Sequence, residues 1–272
     1  MKVLPLPVLR RAISTCNDCF SALPGCRHHE DAVGGYGKHR IVLIGINPQG
    51  NDSDPVYRVI EGLPWEERNL LGDRVLDLLV AERQLRAQAS GARLRSSLRA
   101  KVEEIFHDAP SLHDVPFHLH KGLRTWLPCV GERLGCTPED LRDHVTMVES
   151  IKHTTADEAE LSRLRERAEH PDLLVQCRKW LDQQLAHIEP RGVIFTGNRG
   201  IALARDLGVL GRDEKPAIGD FHGEARSWRS AQGAEPVPVI FSYAFSAQTK
   251  AIWNGHAGSG RVRTWFARMV GR

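Results

Sequence analysis

A chain of 272 residues with 41% apolar and 26% charged side chains can bury a substantial core, which excludes a disordered polypeptide. No apolar run approaches a membrane span, and the proline-broken opening MKVLPLPVLRRAIS lacks the continuous apolar stretch of a secretory signal; cytoplasmic residence without membrane contact is therefore the expectation. A formal net charge of +3 is too small to announce a nucleic-acid partner by itself.

Taken in chain order, the apolar spacing first predicts a helix near Leu6–Ser14. Cys16, Cys19 and Cys26 then crowd TCNDCFSALPGCRHH, while Cys129, Cys136 and Cys177 are scattered, which is not a disulfide framework. Two thiolates at C-x-x-C spacing suit one metal or iron–sulfur cluster, but they need further ligands; His28 and His29 are local candidates for zinc. In RIVLIGINPQGND, the run Val42, Leu43, Ile44 and Ile46 predicts a central parallel strand covered on both faces. The polar turn falls at its carboxyl end, where open α/β sheets bind ligands because backbone N–H groups are free there. Gly45 and Gly50 permit tight backbone paths, Pro48 fixes one φ, and Asn47 offers a donor and an acceptor, although an ordinary strand-to-loop turn has the same composition.

Helical patterns follow in RVLDLLVAERQL and LRAKVEEIF. The stretch AERQLRAQASGARLRSSLRAK gathers Arg83, Arg86, Arg93, Arg95, Arg99 and Lys101 around a single acid, Glu82, and the tail adds Lys250, Arg261, Arg263, Arg268 and Arg272. Such clusters either neutralise phosphates or form solvated helix faces. Leu123, Trp126, Leu127 and Val130 predict a further helix, and Thr137-Pro138 with Asp140 predicts a capped one. VTMVESIK is the second strand, followed by a charged helix from Ala156 to Glu169 and a helix whose stripe Leu173, Leu174, Cys177, Trp180, Leu181, Leu185 and Ile188 ends at Pro190. GVIFTG, leading through Gly197-Asn198-Arg199-Gly200 into IALARDLG, is the third strand, and VPVIFSYAFS is the fourth. Strands alternating with helices predict an α/β fold with three layers, α/β/α, and a central four-stranded parallel sheet in one domain over residues 1–272.

The C-x-x-C, the G-x-x-P-x-G turn, a strand ending in IKH and the segment CRKWLDQQLAHIEPRGVIFTG together resemble the uracil-DNA glycosylase superfamily, closest to its iron–sulfur branch. The likeness covers most of the chain outside Gly62–Lys121, which reads as a helical insertion over 62–121. It implies a DNA-repair protein that flips a damaged or deaminated base from double- or single-stranded DNA and hydrolyses its N-glycosidic bond, acting as a monomer. It also implies a 4Fe–4S cluster on Cys16, Cys19, His153 and Cys177; zinc fits the same ligand set, and Cys26 rivals His153 as the fourth ligand. His153 stands where that branch has cysteine, a replacement of thiolate by imidazole that Rieske centres tolerate. Cys177 also reads as a buried thiol on an apolar stripe.

The implied pocket has Asn47 and Ser246 as catalytic groups, lined by Gly45, Gln49, Gly50, Glu149, Tyr243 and His222. Iron–sulfur relatives carry Glu in the first turn; Asn47, shared with the mismatch-specific branch, orients water but cannot accept its proton as a carboxylate does. Glu149 stands where the family places the Asn that reads uracil, and an ionised carboxylate only accepts, so it opposes uracil O4 and suits an edge with two donors, as in guanine; a protonated Glu149 is the alternative. Ala244, Phe245 and Ser246 fall on His-Pro-Ser, so the histidine that stabilises the departing base is missing, a loss of several kcal/mol unless His222 substitutes. Otherwise His222 is a surface or structural histidine. Two readings follow from these departures: a glycosylase-like hydrolase, or a silent nucleic-acid- or nucleotide-binding member that keeps the metal site. A redox sensor is the third.

Overall fold

The computed structural model describes residues 3–16, 32–33, 35–37, 40–45, 65–108, 110, 113, 128–150, 173–211, 213–214, 217–229, 235–245 and 249–271. Its centre is a six-stranded sheet in the order β1-β3-β2-β4-β6-β5, where β1 is Ala32–Val33, β2 Ile41–Gly45, β3 Val145–Glu149, β4 Gly192–Thr196, β5 Ala225–Trp228 and β6 Val237–Ser242. Strands β2, β3, β4 and β6 run parallel and are the four expected ones. The antiparallel edges β1 and β5 escaped the pattern for a physical reason. β1 is two residues long, and β5 exposes Ala225, Arg226 and Ser227 while burying only Trp228, so neither shows a buried run.

Successive side chains of the parallel strands leave on opposite faces, and both faces are apolar. Ile41, Leu43, Val145, Met147, Ile194 and Ile240 join one core; Val42, Ile44, Val148, Val193, Phe195, Val239 and Phe241 join the other. The first face is covered by α2 (Trp65–Gln88), α3 (Gly91–Ile105), α4 (Pro138–His144), the helical residues 128–134, α8 (Lys250–Gly255) and α9 (Gly258–Val270). The second is covered by α5 (Leu173–Ile188), α6 (Gly197–Asp206) and α7 (Ile218–Phe221). α1 (Leu6–Ser14) touches both α2 and α5. Over its described part, the stretch read as an insertion is a layer of the fold itself. Val75, Leu76, Leu78, Leu94, Leu98, Val102 and Phe106 are buried in the same cluster as the strands. Removing α2 and α3 would uncover part of that sheet face. No described helix is long and apolar enough to cross a membrane.

The capped helix forms as expected. Thr137 Oγ1 accepts from the Asp140 amide at 3.2 Å, and the Asp140 carboxylate accepts from the Thr137 amide at 2.6 Å, satisfying donors that the first helical turn leaves open. This box delivers the chain directly into β3, because Val145 is both the helix C-cap and the first strand residue. A Thr137→Ala substitution should cost about 1 kcal/mol, read as a lower urea midpoint at unchanged slope.

Candidate active site

In-register pairing sets the carboxyl rim of the sheet. Gly45 lies opposite Glu149 on β3, Ile44 opposite Phe195 on β4, and Thr196 opposite Ser242 on β6. Because residues two apart share a face, Glu149, Gly45, Thr196 and Ser242 leave the rim on the face of Leu43, Met147, Ile194 and Ile240. The chain leaving β2 goes to β3 on one side, and the chain leaving β4 goes to β5 and then β6 on the other. Open α/β sheets bind ligands outside the strand ends at such a reversal.

Gly45 is required here by its neighbour. A Cβ at this position would meet both oxygens of Glu149 and stand 2.6 Å from its Cδ, so the carboxylate occupies the space over the tip of the central strand. Thr196 donates to Ile44 O at 3.1 Å and Ser242 donates to Tyr243 O at 2.8 Å. With its hydrogen committed, each hydroxyl has only acceptor capacity left.

His222 is not at the surface. It is 1% exposed, and both ring nitrogens are used inside the protein. Its Nδ1 accepts from the Tyr243 amide at 3.2 Å, which puts the proton on Nε2, donating to Ser259 Oγ at 2.9 Å. Ser259 in turn donates to Trp253 O. The ring is flanked by Tyr243, Trp253 and His256 at centroid distances of 4.7, 4.6 and 4.8 Å. His222 therefore does not replace the missing histidine; it ties the end of β6 to α8 and α9. The contact is close: Gly223, at φ +80°, and Gly258 meet backbone to backbone, where a Cβ on Gly223 would lie 2.6 Å from Gly258 Cα. Tyr243 lines the rim beside this latch, with His256 edge-on at 5.6 Å.

Sequence reasoning missed Arg133. Its guanidinium, 2% exposed, donates to Ala244 O and Thr249 Oγ1, both at 3.0 Å, and so holds both flanks of the segment that contains Ser246. Burial pushes its pKa below the usual arginine value, offset in part by Cys129 and Glu132. The available signal was position, since Arg133 lies three residues beyond Val130 on the buried stripe. Of the basic cluster, Arg83, Arg86 and Lys101 pair with Glu139, Glu82 and Glu104, whereas Arg93, Arg95 and Arg99 are exposed on α3.

Asn47, Gln49, Gly50, Ser246, Cys19, Cys26 and His153 lie outside the described residues. Cys16, two residues beyond α1, and Cys177, on α5, are both buried, and α1 touches α5. The Leu4 amide donates to Gln183 Oε1 at 2.8 Å and Leu4 O meets the His187 ring at 2.7 Å, so the start of α1 lies against the end of α5. Cys177 lies in the opposite, first half of α5. As α5 links parallel β3 to β4, that end is the carboxyl rim. Buried thiols are the donor type that a soft metal or cluster takes. Among the described residues, no group of three or more His, Cys, Asp or Glu is placed to hold a metal ion.

The folded-state pKa of His222 is pushed down to about 4, first by burial and then by His256 and Arg261. The unfolded chain takes up this proton near pH 6.5, so stability is whole above that pH and falls as pH drops toward 4. A His222→Gln variant should be less stable than wild type at neutral pH yet lose less between pH 7 and 4.5, measured as urea midpoints for both proteins.

Residues 33–265 match the family model described as Uracil DNA glycosylase superfamily. No curated protein matches the chain. The matched span takes in all six strands except the first residue of β1, and the rim that they build lies within it. The chain belongs to the uracil DNA glycosylase superfamily.

Proposed function

We propose that the protein is a DNA glycosylase that flips a base out of the duplex and hydrolyses its N-glycosidic bond at the carboxyl rim of the sheet. The observation that carries this reading is the rim itself: a carboxylate laid over the tip of the central strand, at the reversal point of the sheet, in a chain of this superfamily. Flipping is required because the scissile bond cannot be reached within the stack. Asn47, two residues beyond Gly45 in the chain, is assigned to orient the attacking water, and Ser246, in the segment clamped by Arg133, to hold the substrate. Lys250, Arg261 and Arg263, which flank the His222 latch and Arg133, would hold the backbone. The protein is read as a monomer in solution.

A metal site is part of the proposal. Cys16, Cys19, His153 and Cys177 would hold a 4Fe–4S cluster, with zinc as the alternative and Cys26 as the rival to His153. Bound there, the group would clamp the amino-terminal segment to α5, a structural contribution rather than a chemical one. Anaerobically purified protein should be brown and contain iron, and Cys177→Ser should lose it; colourless protein carrying zinc would select the other metal.

A second reading is favoured by one specific observation. Ala244 stands on the missing histidine, and His222 is committed to the latch, so the departing base lacks that stabilising group. A silent DNA- or nucleotide-binding member would bind without turnover. Single-turnover assays on duplexes carrying uracil, hypoxanthine or xanthine separate the two. Base release leaving an alkali-labile site is expected, and Asn47→Ala should slow it roughly a hundredfold. Tight binding with no release from any lesion would establish the silent reading.

A further inference from the structure

We propose that α3 is a second nucleic-acid surface, on which Arg93, Arg95 and Arg99 hold the sugar–phosphate backbone of DNA apart from whatever base enters the rim. The choice of DNA rests on the glycosylase reading; the surface itself is argued from charge and exposure. From Arg83 to Lys101 the chain carries six cations and no acid, although its net charge is only +3. The structure divides the six. Arg83, Arg86 and Lys101 are paired with Glu139, Glu82 and Glu104. Arg93, Arg95 and Arg99 are exposed and, among the described residues, make no ion pair or side-chain hydrogen bond.

The placement of these charges opposes the helix that carries them. α3 packs on α2 and buries Leu94, Leu98 and Val102; it has no acid in its first turn, no cation in its last and no side chain capping its start. Arg93 stands in the first turn and Arg95 just beyond it, at the positive end of the helix dipole, while Glu103 and Glu104 stand at the negative end. Both signs lie where the dipole disfavours them. Such a local conflict brings the folded chain no gain of its own, and an external polyanion relieves it at the arginine end. At about 3.6 residues per turn, Arg95 and Arg99 share one flank of the exposed face and Arg93 takes the other, with exposed Ala92, Ser96 and Ala100 between them. The short side chains leave room for a strand whose phosphates the guanidinium groups reach from both sides, each with paired N–H donors. A membrane or a protein partner would call for apolar anchors instead. The exposed large apolar residues among those described are Val3, Val8 and Ile252, none of them on α3.

The test uses the full-length protein and a fluorescein-labelled, lesion-free duplex of about 20 base pairs, read by anisotropy between about 50 and 200 mM salt. Without a lesion the readout is independent of base release. Combining Arg93→Gln, Arg95→Gln and Arg99→Gln should flatten the log–log dependence of affinity on salt by about two to three and weaken low-salt binding at least about tenfold. Combining Arg142→Gln, Arg178→Gln and Arg226→Gln removes the same charge from arginines already paired with acids, and should change the slope by less than about one. By circular dichroism the α3 variant should melt no lower than wild type, because the charges it loses are not favoured by the dipole they face. An unchanged slope in that variant, an equal loss in the control, or a lower melting midpoint that marks the arginines as structural would each overturn this assignment alone. A flattened slope in a protein that releases no base would uphold the surface and fail only the glycosylase reading. No binding by wild type at the lowest salt would overturn both.

Discussion

The constraint on which the rest of this structure depends is the register of β2 against β3 and β4. All three strands are apolar on both faces, and each face has its own helical cover. A slip of one residue would exchange the two faces of β2 and send Leu43 toward the helices that now enclose Val42 and Ile44. Because the register cannot slip, the four residues at the rim cannot shift either. Glu149 meets Gly45, Thr196 meets Ser242, and the polar rim begins where the apolar alternation stops. Core packing and site geometry are therefore one and the same constraint.

The groups around that rim divide into those that face outward and those that hold the frame. Arg133, His222, Ser259 and Trp253 belong to the second kind. They are buried, and they hydrogen-bond to groups at or beyond the end of β6, or to one another. A buried cation and a buried neutral imidazole are expensive to place and costly to leave unpaired, so each defines one arrangement of the segment it holds. For His222 this replaces a catalytic expectation with a mechanical one: the same amide contact that makes it a good latch removes it from chemistry.

The amino-terminal helix shows how a distant segment can be fixed to the fold without sharing a strand. The Leu4 amide donates to Gln183 and the Leu4 carbonyl accepts from His187, which docks the beginning of α1 on the end of α5. Cys16 and Cys177, both buried, stand 161 positions apart in the chain. That separation is why neither cysteine alone is informative, since one follows a short helix and the other lies on an apolar stripe.

What the sequence by itself determined was everything written in local periodicity. The two-residue alternation and apolar runs marked all four parallel strands, and the Thr137–Asp140 box marked a helix start. The order of strand, turn and helix motifs carried the family likeness that the match over residues 33–265 establishes. Tertiary structure alone decided the rest, because the remaining features are contacts between residues far apart in the chain. The two edge strands exist only through pairing with a neighbour, and the presumed insertion became a core layer only when its apolar stripe met the sheet. Arg133 and His222 have the composition of surface residues and were made structural by what closed over them. The glycine at 45 looked like a device for a tight turn; its reason lies on the next strand, in a carboxylate whose arrival no local pattern records.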